Sequence, residues 1–168
     1  PNKDKIELVT MDMWQPYRDA VRDILPQATV VIDRFHVIRL AVQGMDTVRK
    51  ETRAHLTARQ VRTLKRDRYI LFHRKHELNE QDQFILDTWI GQFPMLGKAY
   101  ELKEQFCDLW NIQSRYEAEE RYEDWKERIP DVLQPAFKPL TTAVGNWKGE
   151  IFAWWDKPVT NAYTEALA

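Results

Sequence analysis

Three stretches carry residues able to do chemistry. Asp12 stands in Met11-Asp12-Met13-Trp14, directly after an apolar run. A carboxylate held at a strand end exposes its oxygens at a rigid sheet edge. That suits a hard divalent cation such as Mg²⁺, which takes oxygen ligands and keeps several waters. The same residue type also serves as a turn or helix-capping aspartate ahead of Pro16. Asp33-Arg34-Phe35-His36 follows a second apolar run. Residues three apart share a face of a helical turn, so Asp33 is placed to accept a hydrogen bond from His36 and hold its ring. That pair is either a packing clamp or a support to a site. Glu165 lies in Thr160-Asn161-Ala162-Tyr163-Thr164-Glu165. Thr160 or Asn161 can cap a helix whose first turns hold Glu165, and the ordinary reading there is a solvated glutamate.

These residues need elements to position them. Residues 6–9 and Thr29–Ile32 are short apolar runs rich in β-branched side chains. Between them Pro16, Tyr17, Ala20, Val21, Ile24 and Leu25 recur at helical spacing, and Pro26 closes the run. The pattern predicts a strand–helix–strand unit with parallel strands, since a crossover of this length suits a parallel pair. Asp12 and Asp33 then fall at strand carboxyl ends, the edge where open α/β sheets build sites.

Beyond His36 the periodicity is helical. One helix is expected over 34–55, with Gly44 a tolerated weak point. Thr57 caps a second through about Lys65, and 69–72 is either helix or extended. Asn79 starts a helix carrying Phe84, Ile85, Trp89 and Ile90 that stops before Pro94. Leu96, Ala99, Leu102, Phe106, Leu109 and Trp110 form one stripe over 95–112. Tyr122, Trp125 and Ile129 mark the buried edge of a charged helix over 114–129. Leu133, Phe137, Leu140, Val144, Trp147 and Ile151 form a heptad-like seam, whose start Pro135 and Pro139 confine or kink. Asp156-Lys157-Pro158 ends it. The expected organisation is a small α/β piece (1–36), an all-α block (37–155) and a return segment (156–168), predominantly helical overall. Two strands and one helix do not make a stable sheet alone, and the first strand would have an open apolar edge. The expectation is therefore a piece of a longer protein, with strands before Pro1 and more helix after Ala168.

The chain has 168 residues, 43% hydrophobic and 30% charged, which places it among globular proteins rather than disordered ones. Cys107 is its one cysteine, so no internal disulfide forms, which fits a reducing cytosol. No apolar run is long enough to span a membrane. Net charge is −1, but residues 49–76 hold ten Lys/Arg against two Asp/Glu, and 77–131 hold six against fourteen. This polarity suits a chain meeting a polyanion on one side, or two charged faces that pair with each other. His55, His73 and His76 lack the company and spacing of zinc ligands and read as part of a polar face. The tryptophans read as core anchors, with Trp154 and Trp155 possible stacking exceptions. Phosphate-binding glycine loops, the His-Glu-x-x-His helix and the serine-nucleophile elbow are all missing, so those activities lack their minimum parts.

The run Leu8-Val9-Thr10-Met11-Asp12-Met13-Trp14-Gln15-Pro16-Tyr17-Arg18-Asp19-Ala20-Val21, the later Ala28-Thr29-Val30-Val31-Ile32-Asp33-Arg34-Phe35-His36-Val37-Ile38-Arg39 and the closing Val159-Thr160-Asn161-Ala162-Tyr163-Thr164-Glu165-Ala166-Leu167-Ala168 together resemble bacterial insertion-sequence transposases of the ISL-three-like branch. The resemblance implies an RNase H-like core with a DDE triad of metal-binding carboxylates. Asp12 matches the second catalytic aspartate and Glu165 the catalytic glutamate, while the first aspartate would precede Pro1. Asp33 and His36 match an accessory Asp-x-x-His motif. The implied cofactor is Mg²⁺ or Mn²⁺ in a two-metal site of the intact enzyme. The implied activity is DNA cleavage and strand joining, by a homo-oligomer acting on transposon ends and target in the bacterial cytoplasm at the nucleoid. The basic segment, with Arg59, Arg62, Lys65, Arg66 and Arg68, then becomes a DNA-phosphate track. A non-catalytic helical DNA-binding or adaptor module is the alternative, since it uses the charge polarity and seam without Asp12 or Glu165.

Overall fold

A computed structural model describes residues 2–158. After a short 3-10 turn, β1 (Leu8–Met11) leads into α1 (Gln15–Ile24) and β2 (Thr29–Ile32). The strands pair in parallel, Leu8 opposite Thr29 through Met11 opposite Ile32. The ladder runs one bond further, because Asp33 N donates to Met11 O at 3.1 Å. Met11, Val31 and Ile32 are buried, so the inner end of the sheet is where it meets the rest of the molecule. On α1 only Val21 is buried, while Tyr17 and Ile24 stand open to solvent.

Helices make up the remainder: α2 (Arg34–Thr52), α3 (Ala58–Arg66), α4 (Arg68–Phe72), α5 (Glu80–Gln92), α6 (Pro94–Asp108), α7 (Arg115–Glu127) and α8 (Gln134–Asp156). Their starts follow local chemistry. Thr57 and Gln60 form a reciprocal capping box at α3, and Asn79 and Ser114 cap α5 and α7 by accepting from Asp82 N and Glu117 N. The helix from Arg34 ends at Thr52 and tightens into a 3-10 turn through His55, and 69–72 resolves as helix. The expected stripes on α6, α7 and α8 are buried as read. On α5 the buried positions are Leu86 and Trp89, whereas Phe84 faces solvent.

One core joins sheet and helices, running from Met11 and Ile32 through α2 to the aromatic residues of α6, α7 and α8. Phe106 touches Trp110, Tyr122 and Trp125, and Phe152 stacks on Trp155 at 5.3 Å. The indole N–H groups are partly satisfied by backbone: Trp125 Nε1 donates to Leu102 O and Trp155 Nε1 to Ile112 O. Trp155 is thus a core anchor, and the exposed tryptophan is Trp14. Lys103 is fully buried, and its Nζ caps the carbonyls of Leu71 and His73. Burial pushes its pKa down from the usual lysine range.

Two helix details differ from the sequence expectation. The bend in α8 lies at Trp147 (φ −125°, ψ 23°), not at Pro135 or Pro139. Pro135 occupies the first turn, where no intrahelical N–H is needed. Gly44 is not a weak point but a close approach. A Cβ there would meet the Phe137 ring at 2.8 Å and Ala136 O at 3.2 Å. Gly44→Ala gains about 1 kcal/mol of helix propensity, against about 1–3 kcal/mol of overpacking strain. The expected outcome is net destabilisation, read as a lower urea midpoint at unchanged slope; equal or greater stability would show that α2 and α8 separate freely.

Candidate functional site

β1 stops at Met11, and Asp12 follows with its side chain 60% exposed. Its Oδ1 accepts from Met13 N at 2.6 Å, which fixes the carboxylate over the turn into α1. Asp33, at the end of β2, is buried and caps α2: its Oδ1 accepts from Phe35 N at 3.0 Å. His36 lies in the first turn of α2. Its Nδ1 is 3.3 Å from Asp12 Oδ1, so the ring bridges to the first strand's aspartate. The expected side-chain bond from His36 to Asp33 is replaced by this contact; Asp33 is tied instead to the start of its own helix. The helix start brings His36 N to Asp33 O at 3.1 Å, a backbone bond only.

The parallel pairing therefore gathers Asp12, Asp33 and His36 at one sheet edge. Glu165 lies outside the described residues. Among the described residues no cluster of three or more His, Cys, Asp or Glu could hold a metal ion. Asp12 is an exposed, rigidly held carboxylate, the donor type that Mg²⁺ or Mn²⁺ accepts. As a ligand set it needs further carboxylates from elsewhere. On the same helical turn, Arg34 and Phe35 line a cleft of ≈ 580 Å³ whose opposite wall carries His73, Arg74, His76 and Trp110. Arg74 is paired with Glu104 and Asp108. Burial pushes the neighbouring Cys107 thiol up, so it is no ready nucleophile.

The charge polarity divides in two. Lys75 pairs with Asp87 at 2.9 Å, and with Arg74 it joins the basic stretch to the acidic one. Arg59, Arg62, Lys65, Arg66 and Arg68 are all exposed on α3 and α4. Arg66 Nε holds the buried Asp67 at 2.9 Å, and Asp67 Oδ2 accepts from Trp89 Nε1, so Arg66 is partly committed to structure. Arg68 donates to Lys65 O. Among the described residues no ion pair engages the Arg59, Arg62 or Lys65 side chains. Sequence reading missed Arg18, which reaches α8 and pairs with Glu150. Its one signal was the Arg18/Arg22 pair, one turn apart on α1.

A transposase family model matches residues 1–168. The chain belongs to this family, the ISL3 transposases. It is 27% identical over 150 residues to the transposase for insertion sequence element IS1001 of Bordetella parapertussis, a match covering 86% of this chain. The chain spans about a third of that relative's length, 36%. No solved structure matches it. Among the described residues no helix is long and apolar enough to cross a membrane.

The Asp12–His36 contact joins an exposed carboxylate to a half-buried ring, and solvent screening at the carboxylate limits it to about 1 kcal/mol. His36→Ala is therefore expected to cost less than about 1 kcal/mol in urea unfolding. A loss of several kcal/mol would make His36 a core element instead.

Proposed function

We propose that this chain is the part of a DNA transposase that supplies Asp12 and Glu165 to a metal-dependent site for cutting and joining DNA strands. The observation that carries the reading is the exposed Asp12 carboxylate, fixed at the end of β1 and met by His36 from the next strand's helix, in a chain of a transposase family. Residues 1–36 are read as part of an RNase H-like core, 37–155 as a helical insertion, and 156–168 as the return carrying Glu165.

Each residue then has a task. Asp12 and Glu165 would hold Mg²⁺ or Mn²⁺, which when bound activates a water or 3′-hydroxyl and stabilises the leaving oxygen. Asp12 is held by Met13 N, so its charge meets the site without a side-chain search. His36 Nδ1 meets the same Asp12 oxygen, Oδ1, that Met13 N holds. Asp33 keeps α2 started at the edge and is not itself a ligand. Arg59, Arg62 and Lys65 contact phosphates, releasing counterions without reading sequence. The functional assembly is a homo-oligomer on transposon-end and target DNA, working at the bacterial nucleoid.

In the full-length transposase, Asp12→Asn and Glu165→Gln keep shape and remove charge. Mg²⁺-dependent nicking and strand transfer are expected to fall by on the order of a thousandfold, with DNA affinity nearly unchanged. Near-normal turnover in either variant would remove that residue from the catalytic set. Binding without any cleavage by wild type would leave the adaptor reading.

Replacing Arg59, Arg62 and Lys65 together with Ala should weaken binding to all DNA sequences alike. The slope of log affinity against log salt should shrink by roughly one unit for each phosphate no longer neutralised. Unchanged affinity and slope would mean that this face is merely solvated.

A further inference from the structure

We infer that Arg18 is a positioning residue: from α1 it sets the bend of α8 at Trp147, and so the direction in which the chain leaves α8. Four observations meet at this one side chain. Its Nη1 donates to Asn146 O at 3.3 Å, the carbonyl immediately before the residue with non-helical dihedrals. The same Nη1 is 3.1 Å from Glu150 Oε1, one turn beyond the bend. The guanidinium lies over the Trp147 ring, 3.9 Å from its centroid. Its Nη2 is braced from α1 itself by Gln15 Oε1.

Arg18 thus touches the residue before the bend, the residue at it, and a residue after it. A sharp change of helix direction needs an identifiable cause, and proline is not the cause here. Gly145 and Gly149 flank the bend, and a Cβ at either would meet nothing within 4 Å. The glycines therefore permit the bend without dictating its direction. A planar guanidinium can hold a carbonyl, a carboxylate and a ring face together, which an ammonium cannot. The Arg18 and Glu150 side chains are only 13% and 12% exposed, so the pair is shielded from screening. Arg22 also reaches Glu150, at 2.8 Å, but its side chain is 59% exposed, and the contacts to Asn146 O and the Trp147 ring are made by Arg18.

The consequence rests on the proposed function: α1 follows Asp12 directly, and α8 precedes Glu165 in the sequence. One side chain would then couple the aspartate's element to the glutamate's approach. The test is independent of catalysis. Spin labels are placed at Asp23 on α1 and Lys157 beyond α8, with a control pair at Arg39 on α2 and Lys138 ahead of the bend, in a Cys107→Ala background. Wild type should give one narrow distance for each pair. Arg18→Met should broaden the first distribution and leave the control narrow, and Arg18→Lys should not restore the wild-type width. Arg22→Met should leave both narrow. An unchanged first distance in Arg18→Met would overturn the inference, since the bend would then hold itself. Broadening of both pairs together would also overturn it, by making Arg18 a general stabiliser. Because neither distance depends on Asp12 or Glu165 chemistry, failure here leaves the catalytic reading standing, and failure of cleavage leaves this one.

Discussion

The crossing of α2 and α8 at Gly44 is the constraint on which the rest depends. α2 begins at the sheet edge, where Asp33 caps it, and its middle meets Phe137 where no Cβ fits. That close approach lets a single helix serve both the sheet and the aromatic core. Met11 and Ile32 at the sheet's inner end join the same core as Phe106 and Trp125. A side chain at position 44 would push α8 away from α2, and the sheet edge would lose its support. Close-packed interiors transmit such changes rather than absorbing them.

Polar groups divide the labour at the edge. Asp33 is buried and spends its carboxylate on the helix start, whereas Asp12 is exposed and keeps its charge available. Two aspartates of similar sequence setting therefore have different roles, set by burial. The same logic sorts the cations. Arg18, Arg74 and Lys103 are held by carboxylates or carbonyls inside the molecule, while Arg59, Arg62 and Lys65 face water. The free face is what a polyanion would meet.

The strand–helix–strand unit was legible because β-branched runs and helical spacing are strong local signals. Helix starts at Thr57 and Asn79 were legible for the same reason, since a capping side chain bonds within its own turn. What could not be read was decided by contacts distant in sequence. His36 meets Asp12 rather than Asp33, because parallel pairing sets the two strand ends side by side. Gly44 looked like a weak point until Phe137, far along the chain, came against it. The bend at Trp147 has no local sequence signal, because Arg18 reaches it from another element. Phe84, although apolar, faces solvent, because the buried side of that helix runs through Leu86 and Trp89. The position of Glu165 lies outside the described residues.

The claim that the Asp12 edge is a metal site can be tested on this chain directly. Mn²⁺, added at substoichiometric levels, broadens amide NMR signals near wherever it binds, even weakly. Acidic side chains are also crowded on α7, at Glu119, Glu120, Glu123 and Asp124, so the cation has a competing surface. The account predicts that residues 11–14 and 34–36 broaden first, and that Asp12→Asn abolishes this. Broadening confined to the α7 face, unchanged by Asp12→Asn, would contradict it.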